Sequence, residues 1–251
     1  MSTNEEVTAP VLSRPSPRLA VSFDAHDPAR LADFWATLLG RRVVDDDRGA
    51  LVTGSDNQVD LRFVAAATAR TGPNRMHLHL TSDSAAGQQD TITTALELGA
   101  RRIDVGQLPE EGHEVLADPE GNELCVIGPG SSFLAGCGFL GEVACDGSRQ
   151  VGLFWAEALG WPLVWDQDEE TAVQSPQGGT KVAWGGPPVA PKAGRNRQRL
   201  DLTVDRDLTA EVDRLLALGA TRLHGDGDAV ELADPDGNEF GLSRLRPGTP
   251  A

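Results

Sequence analysis

The sequence has little that would tie it to a membrane, to nucleic acid or to an oxidising compartment. It contains three cysteines, Cys125, Cys137 and Cys145. An odd number without framework spacing excludes a disulfide scaffold and fits a reducing compartment. No apolar run approaches the roughly 20 residues of a membrane-spanning helix, and the N-terminus lacks the apolar stretch of a signal peptide. The expected location is therefore cytoplasmic, with no membrane partner. Basic residues are in deficit. Lys and Arg number 22 against 38 Asp and Glu, for a net charge of −16. That balance argues against nucleic acid or an anionic membrane as partner and reads as a solubility feature. A phosphate-binding glycine loop, a Ser-His-Asp order and a Cys-x-x-Cys pair are also missing.

What is present is a repeat. Residues 34–36 (FWA) run to Leu39-Gly40, and residues 154–156 (FWA) run to Leu159-Gly160. LELGA at 96–100 returns as LALGA at 216–220, and LADPEGNE at 116–123 as LADPDGNE at 232–239. Three blocks in one order at nearly constant spacing make the chain a tandem duplication. The expected organisation is a disordered Pro-rich tail at 1–17, a first module at 18–128, a linker at 129–136 and a second module at 137–246. At 251 residues the chain can give each module a core of its own.

Within the first module, residues 19–23 predict a strand. Asp27-Pro28 supplies an N-cap and a first-turn proline, and apolar residues at helical spacing then lead to a stop at Gly40. Strands are expected at 42–45, 50–53, 59–64 and 75–81, and a second helix over 85–98. The second module repeats the order, with a strand at 139–144, a helix at 151–159, a central strand at 200–204 and a helix at 207–218. This pattern predicts an α+β fold of two βαβββ units per module, with helices on one face of the sheet.

The stretch Met76-His77-Leu78-His79-Leu80 is the most chemically suggestive. Two histidines at i and i+2 on a strand share a face and can address one metal or one substrate. Its counterpart in the second module, Gln198-Arg199-Leu200-Asp201-Leu202, places Arg199 and Asp201 at the same positions. A metal site needs at least a third ligand. The bland alternatives are hydrogen-bonded histidines and a partly buried Arg199–Asp201 ion pair. The two DPxGN blocks read first as hairpin turns. His26, His113 and His224 read as surface residues. The tryptophans read as core anchors, although Trp165 and Trp184 have no counterpart in the first module and one of them is a candidate pocket floor.

Together FWATLLG and FWAEALG, NRMHLHLTSD and NRQRLDLTVD, LELGA and LALGA, and DPEGNELCV and DPDGNEFGL resemble the vicinal oxygen chelate superfamily. More narrowly, they resemble glyoxalase-like domain proteins related to glyoxalase I and the bleomycin resistance proteins. The resemblance covers residues 18–246 and implies two tandem modules of paired βαβββ units, with sheets curled into a cup around a small molecule. Metal enzymes of the superfamily take one ligand from the first strand, a histidine from the central strand and a glutamate from the last. Carried over, these positions fall on Ala20 and Leu140, on His77 and Arg199, and on Cys125 and Gly241. One position in three is kept in the first module and none in the second. Asp60 is a candidate for a further carboxylate ligand.

Two functions follow as expectations. One is a metal-independent binding protein for an anionic or aromatic metabolite or antibiotic, with His77, His79, Cys125, Trp184, Arg197, Arg199 and Asp201 lining one hollow and Arg195 nearby. The alternative is a lyase or isomerase of glyoxalase type. In a metal-free version His77 or His79 acts as general base and Arg199 steadies an oxyanion. In a metal-dependent version His77, with His79, Cys125 and Asp60, holds a divalent ion. No cofactor is expected in the first case. The duplication makes either a monomeric pseudo-dimer or a homodimer reasonable.

Overall fold

The computed structural model describes residues 16–55, 57–67, 72–108 and 111–245, so the expected tail lies outside them apart from Ser16 and Pro17. Four βαβββ units follow one another. The first contains β1 (Arg18–Ala25), α1 (Pro28–Leu39), β2 (Val43–Asp46), β3 (Gly49–Val52) and β4 (Asp60–Ala65). The second contains β5 (Met76–Leu80), α2 (Ala85–Glu97), β6 (Arg101–Arg102), β7 (His113–Ala117) and β8 (Glu123–Ile127). The third contains β9 (Leu140–Cys145), α3 (Arg149–Leu159), β10 (Leu163–Gln167), β11 (Glu170–Gln174) and β12 (Lys181–Trp184). The fourth contains β13 (Gln198–Val204), α4 (Leu208–Ala217), β14 (Thr221–His224), β15 (Ala229–Ala233) and β16 (Glu239–Arg244).

The helices begin and end where their local chemistry dictates. Asp27 accepts the Arg30 N–H at 3.1 Å ahead of Pro28, and Ser148 accepts the Val151 N–H to open α3. Gly40 and Gly160 close α1 and α3 in the left-handed conformation, at φ 64° and 66°, where a side chain would be strained.

Each unit leaves one edge of its first strand free, and two units join along such edges. The partners come from different modules. Sheet one runs β14-β15-β16-β13-β1-β4-β3-β2, joining the first unit to the fourth. Sheet two runs β10-β11-β12-β9-β5-β8-β7-β6, joining the second to the third. The joints are the antiparallel pairs β1–β13 and β5–β9, so both sheets are mixed and open. Alternation sends Leu19, Val21 and Phe23 to the helix-covered core and Ala20, Ser22 and Asp24 to the other face. Phe23 stacks on Phe63 at 5.1 Å and meets Trp35 at 6.2 Å, while Trp155 stacks on Trp184 at 6.4 Å.

The repeated motifs turn out to be one device. Trp35 Nε1 donates to Asp118 Oδ2 at 3.2 Å, and Trp155 Nε1 donates to Asp234 Oδ2 at 3.3 Å. Each aspartate also accepts the backbone N–H groups of its own turn, at Glu120 and Asn122 and at Asp236 and Asn238. Glu120 then accepts the His26 and Asp27 N–H groups, and Asp236 accepts the N–H and hydroxyl of Ser148. The DPxGN hairpin of each module thus satisfies orphan donors at the start of a helix in a unit of the opposite sheet.

Candidate functional site

Strand register places equivalent residues of the four units in a row across the non-core face of each sheet. In sheet two the row is Cys125–His79–Glu142–Lys181. In sheet one it is Gly241–Asp201–Ala20–Asp60. The histidines and the Arg199–Asp201 pair therefore stand on different sheets. The single hollow with one imidazole wall and one guanidinium wall is not what forms. The reason is the pairing: β5 takes β9 as its neighbour, and β13 takes β1.

In sheet two, Met76, Leu78 and Leu80 enter the core and leave His77 and His79 on the opposite face. His79 Nδ1 lies 2.6 Å from Glu142 Oε2, and His79 Nε2 lies 2.9 Å from His77 Nε2. Donor atoms of His77, His79 and Cys125 all lie within 4.8 Å of one another. Burial pulls the His77 imidazole down to about 3, helped by the neighbouring His79 and His113. Burial also opposes charge on His79, but hydrogen bonding to Cys125 and Glu142, together with the Glu142 charge, outweighs it and raises the group to about 9. The opposite shifts agree with a proton on His79 Nε2 donated to a neutral His77. Glu142 escaped the sequence reading, which took Leu140 as the first-strand position. A register shift beside His79 and Leu80 turns Leu140 into the core and leaves Glu142 opposite His79. The one available signal was the spacing of 122 residues that relates His77 to Arg199, since the same spacing relates Ala20 to Glu142.

Sheet one carries a network of charge pairs. Asp201 Oδ2 accepts from Ser22 Oγ at 2.5 Å and from Arg48 Nη2 at 2.9 Å, while Arg48 Nη1 reaches Ser243 Oγ at 2.7 Å. Arg199 pairs with Asp24 at 2.7 Å and Arg62 with Asp46 at 2.6 Å. Gly241 makes room for this arrangement, because a Cβ there would overlap Asp201 Oδ1. Over the face opens a cavity of about 530 Å³, with Arg18, Arg48, Arg62, Asp60, Asp201 and Trp161 in its wall. Burial raises the Asp60 pKa against the pull of the Gly54 N–H, which it accepts at 2.6 Å, and of Arg18, Arg41 and Arg62.

The remaining candidates are distributed elsewhere. Trp184 packs on Trp155 in the core and meets Gln198 and Arg199 across a crevice of only about 20 Å³, room for a water at most. Arg197 is buried against the Asp24 carbonyl and Glu120, and Arg195 pairs with Glu231. Trp165 lies edge-on to Phe133 at 5.7 Å, and the Lys181 Nζ sits 4.2 Å from the centre of the same Phe133 ring. His113 is half-buried on β7 and His224 is exposed beside Glu231. Cys125, Cys137 and Cys145 are all free thiols. Among the described residues no helix is long and apolar enough to cross a membrane.

Two open eight-stranded sheets built from four βαβββ units, each with a polar face, define a two-module α+β fold. The sequence model of the glyoxalase-like domain matches twice, over residues 20–127 and 142–243. The chain belongs to the glyoxalase-like domain family of the vicinal oxygen chelate superfamily, as a tandem of two such domains. No curated protein matches it in sequence. Its fold is similar to that of glyoxalase I from Zea mays, with TM-score 0.61 and 14% identity over 91% of this chain and 92% of that one. It is also similar to a putative dioxygenase from Bacillus subtilis, with TM-score 0.55 and 12% identity over 94% of this chain and 87% of that one.

The superfamily's metal enzymes imply an ion on the first, central and last strands, and the two sheets answer differently. Sheet one does not fit. Ala20 and Gly241 have no donor, and Asp201 is already bound to Ser22 and Arg48. Asp60, the further carboxylate considered above, lies on this sheet and away from the histidines. Sheet two fits through His77, His79 and Cys125, with Glu142 on the far nitrogen of His79.

Proposed function

We propose that this protein binds a small anionic molecule, aromatic or otherwise flat, in the hollow of sheet one without a metal ion there. The cavity of about 530 Å³ over that sheet carries the reading, since its size is that of small-molecule sites in general. Arg18, Arg48 and Arg62 give the wall its recognition chemistry. Guanidinium groups match carboxylate and phenolate oxygens with paired donors. Arg48 is the natural contact, because its side chain is 32% exposed while it bridges Asp201 and Ser243. Trp161 adds an apolar ring to the wall of the same cavity. Free thiols on all three cysteines suit a reducing cytoplasm. A thermal-shift and calorimetric screen of aromatic carboxylates and phenolates tests the reading. A hit should lose at least about tenfold in affinity in Arg48→Ala, the loss expected when one charge-assisted contact is removed. Hits indifferent to both Arg48→Ala and Arg62→Ala would count against it.

A second reading, a lyase or isomerase of glyoxalase type, rests on the His77–His79–Glu142 chain in sheet two. A neutral imidazole at 2.9 Å from a charged one pairs a proton acceptor with a proton donor, as enolisation next to a carbonyl requires. An ion on His77, His79 and Cys125 would polarise a carbonyl or enediolate oxygen. Arg199 takes no part, being held by Asp24 on the other sheet. Conversion of 2-oxoaldehyde–thiol adducts, lost in His77→Ala and kept in Arg48→Ala, is the expected outcome. No turnover by the wild-type protein, with or without added divalent ion, rejects it.

A further inference from the structure

We propose that the hollow of sheet one selects anions that carry a neutral hydrogen-bond donor, a hydroxyl or an amide N–H, at the end away from the charge. Asp60 accepts that donor, and Arg48 anchors the charge. This selectivity rests on anion binding in sheet one and adds a second recognition point to it.

Strand register fixes the two poles. Asp60, Ala20 and Asp201 stand side by side on β4, β1 and β13, so Asp60 and Asp201 are two strand spacings apart, roughly 10 Å. Arg48 stands at the Asp201 pole, 2.9 Å from Oδ2. Its terminal nitrogens give one N–H each to Asp201 and Ser243 and keep one each for a ligand. Ala20 puts only a methyl group between the poles. All four residues line the same cavity, whose floor between them is apolar and suits an aromatic ring substituted at both ends.

The two carboxylates differ in what they still need. Asp201 Oδ2 already takes a hydroxyl and a guanidinium. Asp60 is half-buried, and its Oδ1 takes the Gly54 N–H at 2.6 Å. Among the described residues no side chain donates to its Oδ2. Arg41 spends its fork on the Val59 carbonyl and the Gln58 side chain, and Arg62 spends its own on Asp46. A partly desolvated carboxylate with an oxygen to spare gains from a ligand that brings a donor. Charge decides which donor. Arg18, Arg41 and Arg62 all act on Asp60 through space. An ammonium group entering there would meet three guanidinium groups as well as the carboxylate. A neutral hydroxyl or amide N–H gains the hydrogen bond without that repulsion.

Calorimetry on the full-length protein with matched pairs of similar shape tests this. The pairs are 4-carbamoylbenzoate against 4-acetylbenzoate, and 4-hydroxycinnamate against 4-fluorocinnamate. In the wild type the donor-bearing member should bind at least about tenfold more tightly, the worth of one hydrogen bond to a charged group. Arg48→Ala should weaken both members of a pair alike. Asp60→Asn keeps an acceptor for the Gly54 N–H and turns an NH2 group toward the ligand, so the gap should shrink to about twofold or less. Asp60→Ala removes the acceptor outright and should close the gap as well. Each ratio is read on one protein, so a loss of folded material in a variant does not imitate the result. Equal binding of both members by the wild type, still dependent on Arg48, overturns the donor pole and leaves anion binding intact. A gap that survives both Asp60 variants overturns the assignment to Asp60. Failure of all four probes to bind overturns the proposal at once, whereas the anion reading falls only if the wider screen yields hits indifferent to the arginine variants.

Discussion

His79 and Asp201 stand at the same place in the two sheets, and each reaches across the module boundary to the first strand of the other module. His79 meets Glu142 on β9 at 2.6 Å, and Asp201 meets Ser22 on β1 at 2.5 Å. One position of the repeat has become an imidazole beside a thiol and a carboxylate. The other has become a carboxylate tied to a hydroxyl and a guanidinium.

The two histidines should shape stability in opposite directions. His77 falls from 6.5 to about 3 on folding, so the unfolded chain binds more protons between those values and stability rises with pH there. His79 rises from 6.5 to about 9, so its contribution is complete below 6.5 and is lost as pH climbs through 9. Urea unfolding across pH should therefore peak near neutrality. Glu142→Gln should flatten the alkaline limb and lower the His79 midpoint in a histidine NMR titration. An unchanged midpoint would show that Glu142 does not hold the charge.

Gly241→Ala should destabilise by about 1–3 kcal/mol, the usual range for overpacking a filled site. The new methyl would displace Asp201 Oδ1 and disturb its bonds to Ser22 and Arg48. Thermal unfolding measures it, and no change in Tm would mean that the carboxylate moves freely.

Asp118→Ala and Asp234→Ala should each cost about 2–4 kcal/mol, because each strips a buried indole N–H and two turn N–H groups of their acceptor. Denaturant unfolding followed by tryptophan fluorescence reads both. Similar losses are expected because the two turns do the same work.

Glu211 lies between Arg206 and Arg214 with its side chain 1% exposed. Burial opposes its charge, but hydrogen bonds and the charges of both arginines prevail and bring it to about 2. A depressed carboxylate stabilises above its unfolded value of about 4.5 and loses that contribution as pH falls through 2. Glu211→Gln should cost about 2–3 kcal/mol near neutral pH and only a small fraction of that near pH 2, measured by urea unfolding at both values.

Much of the fold was open to reading from local signals. The helix of residues 85–97 was expected at 85–98, and the strand of residues 76–80 was expected at 75–81. Caps, glycine stops and alternation are local, so they survive folding unchanged. Leu140 shows where that logic fails. Its alternation pattern is sound, but one extra residue in the ladder reverses the face it presents, and Glu142 becomes the residue beside His79. Trp184 packs against Trp155 in the core, since the side of β12 it occupies is the side that α3 covers.

Sequence alone determined the duplication, the four βαβββ units, the absence of any apolar span and the shared face of His77 and His79, because each depends on residues near one another in the chain. Only tertiary structure decided which first strands meet. By joining β5 to β9 and β1 to β13 it placed the imidazoles with Cys125 and Glu142, and Arg199 with Asp24, on separate sheets. That choice belongs to free strand edges finding one another across 63 residues of chain at His79–Glu142 and 179 at Ser22–Asp201, a long-range pairing that no local pattern encodes.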